Sequence, residues 1–267
     1  MGDDRPHTPF LDPPRRSAVH LLMREGVLLP APAPVTADAE GARLVADLYA
    51  VTPPAAGGAH VRAMMNTTID GAIVGSDGTS GTLRNPDDSF VFDVLRALTD
   101  VVLVGAETVR TEDYRRPLGR DDLLSPSLRP GGAGRPALAI WSRSGELPDT
   151  IEPDWPTYLI TPPGEARRAA VRSGIPVEQV ILAETPAAAV QSLAERGLRA
   201  IQAEGGPAAL GRLAAAGLLD ELCFSTTHRS VGGDSSRVLR GASHEQDWDL
   251  SSLLVGKHAT ISRHVRG

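Results

Sequence analysis

Three short stretches of this chain combine residue types suited to holding a charged ligand. Glu204-Gly205-Gly206-Pro207 sets a carboxylate, two residues without side chains and a helix-starting proline in a row. Glycines let the backbone come close to a ligand, and the free N–H groups of a helix start attract phosphate. Gly105-Ala106-Glu107-Thr108-Val109-Arg110 follows an apolar run. Its small residues again admit close backbone approach, and Thr108 and Arg110 carry donors suited to phosphate. In Val61–Gly81 an apolar run gives way to Asn66-Thr67-Thr68-Ile69-Asp70-Gly71 and then to a loop rich in Gly, Ser and Thr. That order presents a carboxylate and bare backbone to a ligand. Each stretch also has a plainer reading alone: a strand and turn at Asp70-Gly71, a strand-to-helix turn at Glu204–Pro207, and a helix start with a solvated arginine at Gly105–Arg110. Neither a GxGxxG fingerprint nor a Walker loop stands in a fitting context, so any dinucleotide must bind outside the usual Rossmann motif.

The bulk of the sequence excludes several classes. The 267 residues are 41% hydrophobic and 22% charged, which is globular composition with enough chain for one large domain or two small ones. Net charge is −6, which argues against a large basic face for nucleic acid but leaves room for a local anion pocket. One cysteine, Cys223, permits no disulfide and no multi-cysteine zinc site within the chain. Lying in an apolar run, it reads as inert core. The seven histidines show no HxxxH or HxH pairing, and no metal is assigned. Residues 15–23 have the outline of an export signal, but the apolar part is short and Arg24 and Glu25 interrupt it. No run approaches the roughly 20 apolar residues of a membrane span. The expectation is a soluble, cytoplasmic protein.

The elements that must position these residues alternate from His60 onward. Met1–Ala59 is different in texture, with nine of the 22 prolines. It reads as a proline-rich extension, with a loose arm at Arg5–Arg16, a short helix or strand at Ala18–Leu29, and a helix at Thr36–Tyr49 capped by Thr36. Beyond it, Val61–Met65, Val101–Val104, Pro136–Trp141, Tyr158–Thr161, Val180–Ala183, Arg199–Ala203, Leu219–Ser225 and Lys257–Val265 read as strands. Helices are expected after Asn85-Pro86, from Gly164 to Ser173, after Thr185-Pro186 and from Pro207 to Ala216. Thr108–Pro130 reads as a long polar loop, and a glycine-rich loop joins the last two strands. Repeated strand–helix–strand units imply an α/β three-layer sandwich, with a mostly parallel sheet and helices on both faces. Ligands of such sheets bind beyond the carboxyl ends of the strands. That is where the three stretches, and Trp141–Ser144, fall.

Taken in order, Thr68-Ile-Asp70-Gly71, Val102-Leu-Val104-Gly105…Thr108-Val109-Arg110 and Glu204-Gly-Gly-Pro207 resemble the reductase domain of riboflavin biosynthesis, the C-terminal half of bifunctional deaminase-reductases. The resemblance runs from about His60 to the end, leaving 1–59 as an extension and 60–267 as the reductase domain, and it is nearest the stand-alone actinobacterial members. It implies a dihydrofolate-reductase-like fold, a homodimer and NADPH as cofactor. It implies reduction of a ribosylamino group on a phosphorylated pyrimidine. By the same resemblance Asn66, Thr82, Gly105, Ala106, Thr108, Val109, Arg110, Ser142 and Gly205, Gly206, Pro207, Ala208, Ala209 and Leu210 fall at cofactor positions. Ser80, Arg96, Glu112, Arg116 and Glu204 fall at substrate positions. Asp70 and Glu204 are the expected catalytic pair, with Asp70 in a partly dry cleft whose burial raises its pKa. The sequence departs from the family pattern at Thr68 for Ser, at Thr82 where many members carry Trp, and at Tyr114 where Pro is usual. No H-x-E or PCxxC deaminase signature is present. Two other readings stay open here: a dihydrofolate or pterin reductase, in which Asp70 contacts the ring, and a cofactor-binding protein without turnover, suggested by the altered loop at Tyr114–Arg116.

Overall fold

The structure, a computed structural model, describes residues 18–52, 57–112, 114–152 and 154–267. The arm expected at Arg5–Arg16 lies outside the described residues. Eleven strands form one sheet: β1 Ala18–Arg24, β2 Val27–Thr36, β3 His60–Thr68, β4 Val101–Gly105, β5 Ala137–Trp141, β6 Thr157–Thr161, β7 Val180–Leu182, β8 Ala200–Ala203, β9 Glu221–Thr227, β10 Trp248–Val255 and β11 Ala259–Arg266. Their order is β2-β1-β10-β11-β9-β3-β8-β4-β5-β6-β7. From β9 to β7 every pairing is parallel, and from β9 through β11, β10 and β1 to β2 every pairing is antiparallel.

The central parallel strands β4 and β5 are apolar throughout because both of their faces are covered. In β4, Val101 and Leu103 join one core and Val102 and Val104 the other, and β5 divides Ala137, Ala139 and Trp141 from Leu138 and Ile140 in the same way. Of the helices, α1 (Ala39–Leu48) and α2 (Pro86–Ala97) bury Val45, Phe90, Val94 and Leu95 in a cluster with Met64 and Ile261. α3 (Ala106–Thr111) adds Val109 to the Val102–Val104 side, while α5 (Pro186–Glu195) and α6 (Pro207–Ala215) cover the Val101–Leu103 side. α4 (Ala166–Ser173) packs beside β6 and β7. Expected caps hold at two starts. Asn85 accepts from Asp88 N at 3.0 Å and Thr185 from Ala188 N at 3.1 Å, each with Pro at the first helical position. Cys223 is buried core, its thiol pushed up to about 12 by burial and by the charge of Glu221.

Four expectations change. Residues 18–36 are a two-stranded ribbon on the sheet, which takes the strand alternative for 18–29 and carries it on to Thr36 in place of short helices; Glu25 and Gly26 take left-handed φ values of 51° and 76° and turn one strand into the other. The helix expected from Thr36 starts after Asp38, whose carboxylate accepts from Glu40 N and Gly41 N at 3.1 and 3.0 Å. The glycine-rich loop before the last strand contains β10, whose alternation is blurred by a bulge between Leu250 and Ser252. The Thr108–Pro130 loop also begins later, because α3 continues to Thr111.

At the amino ends of the parallel strands a buried charge cluster pins this N-terminal part to the sheet. Arg62 on β3 bonds Glu221 on β9 at 2.6 Å, Arg263 on β11 takes the other carboxylate oxygen, and His60 Nε2 lies 3.1 Å from it. The same two guanidiniums donate to the carbonyls that end α1, Arg62 to Tyr49 O and Arg263 to Leu48 O, both at 2.6 Å. Cations there also suit the negative end of the helix dipole. Burial alone would raise the Glu221 carboxyl; Arg62, His60 and Arg263 outweigh it and hold it well below the usual carboxylate range.

Glu221→Gln strips this cluster of its anion and leaves two buried cations. It is expected to cost about 3–5 kcal/mol in urea unfolding at neutral pH. The wild-type contribution is complete above the ordinary carboxyl value of 4.5 and is lost as pH falls through the lower folded value. The gap between wild type and variant should therefore narrow in acid.

Candidate active site

The carboxyl ends of β3, β4, β5 and β8 open into a cleft of about 1220 Å³. One turn of backbone forms its centre. Glu204 N extends the ladder to Leu103 O at 3.0 Å, and Gly105 N bonds Gly205 O at 3.0 Å. Gly205 has φ +112°, a conformation that side chains rarely adopt, and a Cβ on Gly206 would stand 2.8 Å from the Thr108 hydroxyl. That hydroxyl accepts from Gly206 N at 2.8 Å, so α3 and the start of α6 are locked together across the cleft.

Glu204 is the most heavily engaged side chain here. Its carboxylate takes Arg96 Nε at 2.7 Å and Arg96 Nη2 at 2.6 Å, Gln202 Nε2 at 2.8 Å, and the hydroxyl of Tyr114. Those four donors fill the acceptor capacity of an ionised carboxylate. Arg96 also bonds the Tyr114 hydroxyl at 3.0 Å and lies 4.4 Å from the centre of the Phe92 ring. Burial and the charge of Glu204 raise the Tyr114 phenol far above its ordinary value, so it stays a donor. Arg96 Nη1 makes only a 3.5 Å contact to Leu118 O and remains the guanidinium's spare donor.

The structure brings most of the expected site residues to this cleft. Asn66, Ser80, Arg96, Gly105, Ala106, Thr108, Arg110, Glu112, Arg116, Ser142, Glu204 and Gly205 through Ala209 line it. Ser80 and Glu112, both expected at substrate, hold each other: Ser80 N and Oγ donate to the Glu112 carboxylate at 2.9 and 2.8 Å. Asn66 donates to Leu83 O and Asp88 and accepts from Thr227. Four expected residues do not line it. Val109 and Leu210 face inward from α3 and α6 into the apolar cores. Thr82 donates to Asp77 at 3.3 Å on an exposed turn.

Asp70 is the larger correction. It is exposed, and its carboxylate accepts from the Thr68 hydroxyl, from Val231 N at 3.1 Å and from Gly232 N at 2.7 Å. The Thr68 hydroxyl and the Gly232 amide lower its pKa, the reverse of the expected rise. Asp70 therefore ties the turn after β3 to the loop after β9.

The sequence reading passed over part of the lining. Asp93 shares the cleft face of α2 with Ser89, Phe92 and Arg96, at the three- and four-residue spacing that aligns side chains on a helix. On the far side, Arg212 of α6 lies 4.2 Å from the centre of the Trp141 ring, and burial together with the nearby Arg143 cation lowers its pKa. Two guanidiniums close enough to repel each other, one of them over an aromatic ring, suit a doubly charged anion. Nine arginines line the cleft against six carboxylates, so it is locally cationic in a chain of net charge −6.

A mainly parallel α/β sheet with a cationic cleft at its strand ends defines a nucleotide-type binding scaffold. The RibD C-terminal domain family matches residues 59–261, and the chain belongs to that family, which places it among the reductases. No curated protein matches the chain by sequence. Among solved structures it is similar to a pyrimidine reductase-like protein from Corynebacterium diphtheriae, with 24% identity, TM-score 0.71, 84% of this chain and 98% of that one. It is also similar to a diaminohydroxyphosphoribosylaminopyrimidine deaminase/5-amino-6-(5-phosphoribosylamino)uracil reductase from Thermotoga maritima, with 17% identity, TM-score 0.62 and 79% of this chain, matching 57% of that protein. The riboflavin biosynthesis reductase Rib7 of Saccharomyces cerevisiae follows, with 14% identity, TM-score 0.54, 81% of this chain and 93% of that one. At these identities the three show a shared fold. Among the described residues no helix is long and apolar enough to cross a membrane.

Asp70→Ala should raise amide exchange at Val231 and Gly232 about tenfold, as expected for lost hydrogen bonds, and leave ligand affinity in the cleft unchanged. A shift in that affinity would return Asp70 to the site.

Proposed function

We propose that this protein is an NADPH-dependent reductase of 5-amino-6-(5-phosphoribosylamino)uracil in riboflavin biosynthesis. The observation that carries the reading is the arginine-lined cleft centred on Gly205 and Gly206. At about 1220 Å³ it exceeds the roughly 300–1,000 Å³ of an ordinary ligand pocket and has room for a dinucleotide beside a second ligand. Its parts suit the two occupants. Gly105, Gly205, Gly206 and the start of α6 supply close backbone and a helix N-terminus for the pyrophosphate. Arg143 and Arg212, beside the buried Ser142, suit the 2′-phosphate that separates NADPH from NADH.

The substrate falls between α2 and α3. Among the described residues Arg116 at the rim pairs with Glu152, at 3.1 Å, with side chains 45% and 42% exposed. Such a surface pair is weak and gives way to a phosphate. Arg96 offers its spare Nη1 donor to the pyrimidine while Glu204 neutralises it. A bound dihydronicotinamide supplies the hydride; the protein aligns donor with acceptor and excludes water. The pterin alternative rests on the shared fold and on Asp70, and Asp70 does not line the cleft. The reading without turnover rests on the altered loop at Tyr114–Arg116, where Tyr114 donates to Glu204 and Arg116 pairs with Glu152. The resemblance adds a homodimer and a cytoplasmic location to the proposal.

The direct test is loss of NADPH absorbance on mixing the purified protein with the ribosylaminopyrimidine phosphate and, separately, with dihydrofolate. Turnover on the pyrimidine supports the reading; turnover on dihydrofolate alone overturns it. The double variant R143Q/R212Q should weaken NADPH about 10- to 100-fold, the worth of two or so charge-assisted hydrogen bonds, and scarcely change NADH. Equal losses for both cofactors would move the 2′-phosphate elsewhere.

A further inference from the structure

Reducing a C=N bond requires a proton as well as a hydride, and the cleft has few groups free to give one. Glu204 already accepts from four donors. Glu112 is committed to Ser80, and Glu165 to Arg168. Tyr114 spends its proton on Glu204. Asp88 also lines the cleft and burial raises its carboxyl, but one oxygen holds Asn66 and the other is buried out of contact with solvent. Glu107 is exposed in the first turn of α3.

Asp93 is the exception. It lines the cleft, is half-buried, and sits one helical turn before Arg96. No donor among the described residues hydrogen-bonds its carboxylate. The charged groups facing it are Arg96 on its own helix, Arg84 ahead of that helix, Arg120 in the loop after α3, and Glu204 after β8. The nearest cations are occupied elsewhere: Arg96 by Glu204, and Arg120 by Asp122 through two 2.8 Å bonds. Burial, with Glu204 adding repulsion, therefore prevails over the arginines and pushes the Asp93 carboxyl up to about 6.

We infer that Asp93 is the acid that protonates the substrate nitrogen during reduction, an inference that rests on the reductase reading above. As the ribosyl carbon of the open-chain imine gains a hydride from the reduced nicotinamide, the C=N π pair moves to nitrogen. Nitrogen takes the proton of the Asp93 carboxyl. The products are the ribitylamine, oxidised nicotinamide and the Asp93 carboxylate, which regains its proton from water in the open cleft. A carboxyl that titrates near the working pH can both give and regain a proton.

Two measurements test this. The first needs no substrate: a carbon NMR titration of wild-type protein labelled at the aspartate carboxyls, with Asp93→Asn to identify the signal. A midpoint near 6 supports the inference, and an ordinary carboxylate midpoint overturns it. The second is kinetic. Wild-type kcat/KM should fall as pH rises through about 6; in Asp93→Asn the fall should vanish, kcat should drop about 10²- to 10⁴-fold, and NADPH affinity measured by fluorescence should hold. An active wild type whose rate and pH profile survive Asp93→Asn overturns the acid alone. A wild type that binds NADPH and reduces no ribosylaminopyrimidine overturns the reductase reading, and the acid with it.

Discussion

A carboxylate and a guanidinium buried together at the end of β8 fix the shape of the cleft. Taking two charges out of water costs several kcal/mol per ion, so a pair such as Glu204–Arg96 persists only where geometry and further hydrogen bonds offset that cost. Here both conditions are met: two parallel bonds join the pair, and Gln202 and Tyr114 complete the carboxylate. α2 cannot slide along β8 without exposing a lone buried charge. The face of α2 that carries Ser89, Phe92 and Asp93 is thereby held against the cleft, and Tyr114 draws the following loop over it. One ion pair thus sets a wall, a floor and a rim.

The sheet separates its tasks by end. At the amino ends of the parallel strands, Arg62, Arg263 and His60 surround Glu221, and the two arginines hold the carbonyls that finish α1. That cluster faces no cleft; it fastens the β1–β2 ribbon and α1 to the parallel half. At the carboxyl ends nine arginines line the cleft, among them Arg96 paired with Glu204 and Arg116 with Glu152. Like residue types therefore serve stability at one end and line the cleft at the other; at the amino ends two arginines share one buried carboxylate and spend their remaining donors on the carbonyls that end α1.

Much of this was legible in the sequence because it is local. Continuous apolar runs such as Val101–Val104 announce strands buried on both faces, and Asn85-Pro86 and Thr185-Pro186 announce helix starts by a hydrogen bond that spans three residues. The glycines at 205 and 206 were likewise readable, since only a residue without a side chain fits there. What escaped was set by pairing over long distance. Residues 18–36 became strands because β10 offers β1 an edge, and β10 itself was hidden by a bulge that breaks its period. Arg62 and Glu221 are 159 positions apart, and nothing near either one predicts the other.

The two aspartates Asp70 and Asp93 show the same limit in the chemistry. Asp70 sits in a motif that advertises a functional carboxylate, yet the Thr68 hydroxyl and two amides from a loop some 160 residues away stabilise its charged form. Asp93 sits in an ordinary helix, with no motif, beside arginines that by proximity alone should keep it ionised. Burial, with repulsion from Glu204, raises its carboxyl against the pull of those arginines, two of which, Arg96 and Arg120, already pair with Glu204 and Asp122. The protonation state of a group in such a cleft follows from how its neighbours are occupied, so a change at Glu204 should be felt first in the acidity of Asp93.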